Sequence, residues 1–225
     1  MSSDRTRLEV RIDVLDLEDQ RALAEPELAP GELIAAIVEE FRDLEYLSST
    51  PGDYRLLKSS DGSLLVDDVP IGEQLAQKER LILTEKERPL PEGATLATRQ
   101  VYLREKDWGR VFRLHWFPAI IGRPDVGSVD NERLAVDLAD HPQGIRVSRR
   151  HAKITEEAGQ YYIESLSQNK TFIEDRDGTR TLLTATRLPL EHGASIYLDG
   201  SQVTLKFIVR GEEGRDDGQH HSDQL

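Results

Sequence analysis

The chain of 225 residues contains no cysteine, which excludes disulfides, thiolate nucleophiles and sulfur-rich zinc sites. That composition suits a reducing compartment, so a cytoplasmic location is the expectation. Long apolar runs are missing as well. No segment approaches the roughly 20 consecutive apolar residues of a membrane-spanning helix, and Met1-Ser2-Ser3-Asp4-Arg5 lacks the apolar centre of a secretory signal. Positive charge is in deficit: the formal net charge of −13 disfavours diffuse attraction to nucleic acid or to an anionic membrane. A local basic pocket is still allowed. P-loop and HExxH patterns are absent, and His115, His141, His151 and His192 do not follow a metal-ligand spacing. No cofactor, metal centre or catalytic group is expected.

What is present is a globular composition, 37% hydrophobic beside 32% charged, in a chain long enough for one large domain or two ordinary ones, each with a core. In residues 7–86, Leu8, Val10, Ile12 and Val14 alternate as one face of a strand. After a polar turn and Pro30-Gly31, the residues Leu33, Ile34, Ile37, Val38 and Phe41 recur at helical spacing. Tyr54-Arg55-Leu56-Leu57, Leu64-Leu65-Val66 and Arg80 to Thr84 read as further short strands. Two strands, a helix and further strands resemble the ubiquitin-like β-grasp fold, including the small ubiquitin-like proteins associated with bacterial type VII secretion. Conjugation is not implied, because the segment runs on into Pro89, Pro91 and Gly93. Residues 87–98 read as a short, stiff linker. The first domain would dock a second protein or position its neighbour.

Residues 99–210 hold many short strand candidates, from Val101-Tyr102-Leu103 to the run Val203 to Val209. That density predicts two packed antiparallel sheets. The acidic, polar stretch 211–225 reads as a disordered tail.

Within the second region, cationic and hydrogen-bonding groups sit beside short apolar segments: Ile121-Gly122-Arg123, then Val147-Ser148-Arg149-Arg150-His151-Ala152, then Ser167-Gln168-Asn169-Lys170-Thr171. The planar fork of an arginine suits bidentate anion binding. Read as an ordered set, these motifs resemble the forkhead-associated (FHA) family, whose β-sandwich domains bind phosphothreonine peptides through loops at one end. The resemblance implies phosphate contacts from Arg123 and Ser148 and a peptide-backbone contact from Asn169. Gln168 is implied as a residue that can also face phosphate or peptide, with Gly122, His151 and Ser167 supporting the site; Arg149, in the cluster of cations around Ser148, is a secondary candidate for peptide contact. Arg150 and Lys153 read as a packing-supported cation and a solvated strand residue. Lys170 departs from the pattern, since the family usually has glycine there; a positive φ at this position would strain a lysine.

Together these features imply a non-enzymatic adaptor with an N-terminal α+β ubiquitin-like domain and a C-terminal all-β FHA-type sandwich. Its partner would be a threonine-phosphorylated protein or peptide, with a possible second protein at the N-terminal domain, and neither nucleic acid nor membrane insertion. The alternative is a scaffold that uses the FHA fold for assembly independent of phosphorylation. A serine hydrolase built on Ser148 lacks a visible base and orienting group.

Overall fold

The structure is a computed structural model and describes residues 7–211 apart from positions 126, 128 and 185. The described residues separate into two compact units, divided between Pro89 and Leu90. The expected tail lies outside the described residues beyond Gly211.

In the first unit, the alternation in β1 (Leu8–Val14) buries every second side chain, as a half-buried strand requires. A tight turn leads to β2 (Leu17–Ala24), paired antiparallel with β1. Helix α1 (Pro30–Glu40) buries Pro30, Leu33, Ile34, Ile37 and Val38. Its start is stabilised by Pro30 in the first turn and by Glu32, whose carboxylate accepts the Ala29 N–H at 2.8 Å. Strands β3 (Tyr54–Lys58) and β4 (Arg80–Glu85) complete a sheet of order β2-β1-β4-β3, in which β1 and β4 run parallel. Phe41 caps the helix and packs at the margin of the core. The strand expected at Leu64-Leu65-Val66 does not form: only a single bridge joins Leu57 and Leu64. The side chain of Gln74 takes the place of a neighbouring strand, accepting the Val66 N–H at 2.7 Å and donating to its carbonyl at 3.0 Å.

The second unit begins earlier than its proline content suggests. Strand β5 (Thr95–Leu96), inside the expected linker, pairs with Trp116–Phe117, and Ala94 and Ala97 pack against the core. Then follow β6 (Val101–Glu105), β7 (Val111–Arg113), β8 (Trp116–Phe117), β9 (Ala119–Gly122) and β10 (Leu134–Asp137). Next come β11 (Ala152–Glu157), β12 (Gln160–Ser165), β13 (Thr171–Glu174) and β14 (Arg180–Leu183). Strands β15 (Leu188–Pro189), β16 (Ser195–Leu198) and β17 (Val203–Val209) end the unit.

These strands form a five-stranded sheet, β10-β9-β11-β12-β15, and a six-stranded sheet, β14-β13-β16-β17-β6-β7. One continuous core joins them, with Ile121, Ala152, Ile154 and Ile163 from the first and Leu103, Ile196, Leu205 and Phe207 from the second. The arrangement is an all-β sandwich. It is not wholly antiparallel, because β9 and β10 run parallel; the 3₁₀ segment Val129–Arg133 carries the chain back between them. The end of β9, the start of β11 and the turn from β12 to β13 lie at one end of the sandwich, since Ile121 pairs with Ala152 and Ala152 with Ser165.

Candidate functional site

Three loops meet at that end. Gly122 closes β9 where no side chain fits: a Cβ there would lie 2.3 Å from the Arg149 carbonyl oxygen and 2.8 Å from that of Ser148. Glycine therefore lets the two loop backbones touch. The next residue, Arg123, is half-buried and donates from Nε to the Val147 carbonyl at 2.8 Å. This bond fixes the guanidinium against the loop that carries Ser148. The two terminal nitrogens, which have no acidic partner among the described residues, remain as donors for a ligand.

Ser148 is tied down from two sides. Its N–H donates to His151 Nδ1 at 3.4 Å, and its Oγ accepts from Asn169 Nδ2 at 2.9 Å. Because Oγ is already an acceptor, its own proton is available to an anion. Asn169 is held by Ser167, whose Oγ accepts the Asn169 N–H at 3.2 Å; Ser167 is in turn fixed through its carbonyl by Ser165 Oγ at 2.9 Å. The residues Arg123, Ser148 and Asn169 are thus one connected constellation, with Gln168 exposed on the same loop.

His151 is 1% exposed and bridges the loops from below. Its Nε2 lies 3.0 Å from Thr171 Oγ1, while its N–H donates to the Ile121 carbonyl at 2.8 Å. Since Nδ1 accepts the Ser148 N–H, the neutral ring carries its proton on Nε2. Burial pushes the imidazole down to about 4, so the ring is neutral at physiological pH. Thr171, the fully buried partner, was not singled out by sequence reasoning. The available signal was a hydroxyl residue at an inward position of β13, in register with Leu198 and Leu183.

The remaining cations divide by partner. Arg149 is exposed and pairs with Asp125 at 3.2 Å. Arg150 turns toward the loop after Arg123, donating to the Asn131 side chain at 3.3 Å and lying 3.5 Å from the Arg123 carbonyl. Asn131 grips Asp125 through both its backbone N–H, at 2.9 Å, and its carbonyl, at 2.8 Å. Lys153 pairs with Glu164 across adjacent strands. Lys170 is exposed, and φ is positive at Leu15, Asp19, Lys78, Ala158 and Gln202 but not at Lys170. The anticipated strain is absent there: the loop turns without a left-handed residue at that position.

The FHA domain family profile matches residues 120–199, the span from β9 through β16 that contains all three loops. The C-terminal unit contains an FHA domain. Similar solved structures include Mycobacterium tuberculosis EmbR in complex with a low-affinity phosphopeptide, at 24% identity over 52% of this chain and 26% of that one, TM-score 0.38. Another is the FHA domain of human APLF in complex with an XRCC1 bisphospho peptide, at 24% identity over 48% of this chain and 97% of that one, TM-score 0.36. A third is an FHA domain from Arabidopsis thaliana, at 19% identity over 56% of this chain and 98% of that one, TM-score 0.37. The chain thus spans about a quarter of EmbR, 26% of its length. A search of curated proteins finds no match. No helix among the described residues is long and apolar enough to cross a membrane, and no group of three or more His, Cys, Asp or Glu gathers there into a possible metal site.

Proposed function

We propose that this chain is a non-enzymatic adaptor whose FHA domain binds a threonine-phosphorylated protein or peptide. The observation that carries the reading is the assembly of Arg123, Ser148 and Asn169 by the bonds to Val147 and between Asn169 and Ser148. In this reading the terminal nitrogens of Arg123 and the Ser148 hydroxyl bind phosphate oxygens through charge-assisted hydrogen bonds. Asn169 both donates and accepts, which matches a peptide group of the ligand. Gln168 and Arg149 contact the flanking peptide, Arg149 exchanging Asp125 for the ligand. Gly122, His151 and Ser167 shape the loops without touching phosphate.

We also propose that the N-terminal unit is a ubiquitin-like β-grasp domain and offers a docking surface to a second protein. Support comes from its β2-β1-β4-β3 order, the parallel central pair β1/β4 and the single long helix after the first hairpin. A cytoplasmic location fits the absence of cysteine from the sequence.

Calorimetric titration with matched phosphothreonine and unmodified peptide libraries tests the reading. Binding confined to the phosphorylated set is expected; equal binding to both sets would replace it with phosphorylation-independent assembly.

A further inference from the structure

The inward face of β6 breaks its own pattern. Val101, Leu103 and Glu105 share that face opposite Val209, Phe207 and Leu205, and Glu105 is 0% exposed. A carboxylate in an apolar layer is costly unless its oxygens are engaged. One oxygen accepts the Trp108 N–H across the tight hairpin. The other, Oε1, has no hydrogen-bond partner among the described residues and faces His141 Nε2 at 3.6 Å. An apolar residue would satisfy the core at this position. The carboxylate must be explained by what it faces.

His141 belongs to the loop 138–147 that leads into Ser148. The loop is a strut of successive tight turns. The His141 N–H donates to the Leu138 carbonyl at 3.2 Å, that of Gly144 to His141 at 2.7 Å, that of Arg146 to Gln143 at 3.0 Å and that of Val147 to Gly144 at 2.9 Å. His141 Nδ1 accepts the Gln143 N–H at 3.0 Å, which places the proton of the neutral ring on Nε2, toward Glu105. Both ends of the strut are joined to the site. Leu138 donates to the Gly122 carbonyl at 2.8 Å, and the Val147 carbonyl holds Arg123 Nε. The strut folds tightly on itself at Gly144, where a Cβ would sit 2.0 Å from the Leu138 carbonyl oxygen.

The β6–β7 hairpin grips this strut at three points. Glu105 faces His141; Trp108 meets the His141 ring edge-on, with centroids 5.6 Å apart; and Arg110, stacked over Trp108 and Phe112, reaches Asp140 at 3.8 Å.

We propose that Glu105 and His141, braced by Trp108, are positioning residues for the phosphate site, holding the strut so that the Val147 carbonyl aims Arg123. The inference rests on the proposed phosphopeptide reading for its consequence in affinity, but its structural part does not need a ligand. Neither residue touches phosphate.

The full chain carrying Glu105→Leu or His141→Phe tests this. Leucine continues the apolar face of β6, and replacing a buried ionic group by an apolar one is often neutral or stabilising; phenylalanine keeps the ring beside Trp108. Either folded variant is expected to shift the Arg123 Nε–H nuclear magnetic resonance signal without ligand, and to bind a phosphothreonine peptide about 3- to 10-fold more weakly, the range of one hydrogen bond. An unmoved Arg123 signal with wild-type affinity in either folded variant overturns the proposal. Should Glu105→Leu fail to fold, His141→Phe decides alone. Should the wild-type chain bind no phosphothreonine peptide, the functional reading fails, and the ligand-free Arg123 signal still decides whether the strut is coupled to the arginine.

Discussion

Acidification should weaken the FHA domain through His151 before most of its carboxylates titrate. In the folded chain the imidazole is buried and neutral, pushed down to about 4 from 6.5. In the unfolded chain it protonates near its ordinary value. Above pH 6.5 both states are neutral there and the group contributes no pH dependence. Below it the unfolded state binds a proton that the folded state refuses, so stability is lost as pH falls toward 4 and levels off beneath that. The full difference corresponds to roughly 3 kcal/mol, of which about 2 kcal/mol is lost between pH 7 and pH 5. Protonating Nδ1 also removes the acceptor for the Ser148 N–H. Denaturant unfolding of wild type and His151→Gln at pH 7 and pH 5 separates this contribution from other titrations. The wild type should lose about 2 kcal/mol more than the variant over that interval. Equal losses would refute the claim that His151 is held neutral by burial.

Two further outcomes follow from the site. Gly122→Ala forces a methyl group against the Arg149 carbonyl oxygen, so thermal melting should show a loss of about 1–3 kcal/mol and phosphopeptide affinity should fall with the displaced loop; an unchanged affinity would mean that the contact is not needed to shape the site. Phosphothreonine should be preferred to phosphoserine by about 1 kcal/mol, roughly fivefold, if its methyl is buried. Calorimetry with two peptides differing only there decides it, equal affinities contradicting a methyl contact.

The ordered motifs make the candidate site of the C-terminal unit legible because each loop carries one chemically distinctive residue next to a strand with clear alternation. Arg123 follows Ile121-Gly122, Ser148 precedes Ala152 and Asn169 precedes Thr171; pairing of β9 with β11 and of β11 with β12, whose turn leads on into β13, brings those three junctions together. What was not legible depends on long-range contacts. The bond from Arg123 to Val147 and the pairing of Arg149 with Asp125 join residues 24 apart in sequence, and no local pattern encodes them. Likewise, Pro89 and Pro91 suggested a linker up to residue 98, whereas pairing with Trp116–Phe117 draws Thr95–Leu96 into the sandwich. The segment Leu64-Leu65-Val66 has strand-forming residues, yet only Leu65 bonds to β3, through the Leu56 carbonyl, while the Gln74 side chain takes up the backbone of Val66. Lys170 would be strained only on a glycine-like backbone, and its φ is not positive.

In the proposed site Arg123 is the principal phosphate contact. The most direct test is calorimetric titration of wild type and Arg123→Ala with one phosphothreonine peptide, with circular dichroism and melting curves confirming that both are folded. Loss of a charged hydrogen-bonding group of about 1.5–3 kcal/mol predicts a drop in affinity of about one to two decades with little change in folding. A folded Arg123→Ala variant that keeps wild-type affinity and still discriminates phosphorylated from unmodified peptide would contradict the account.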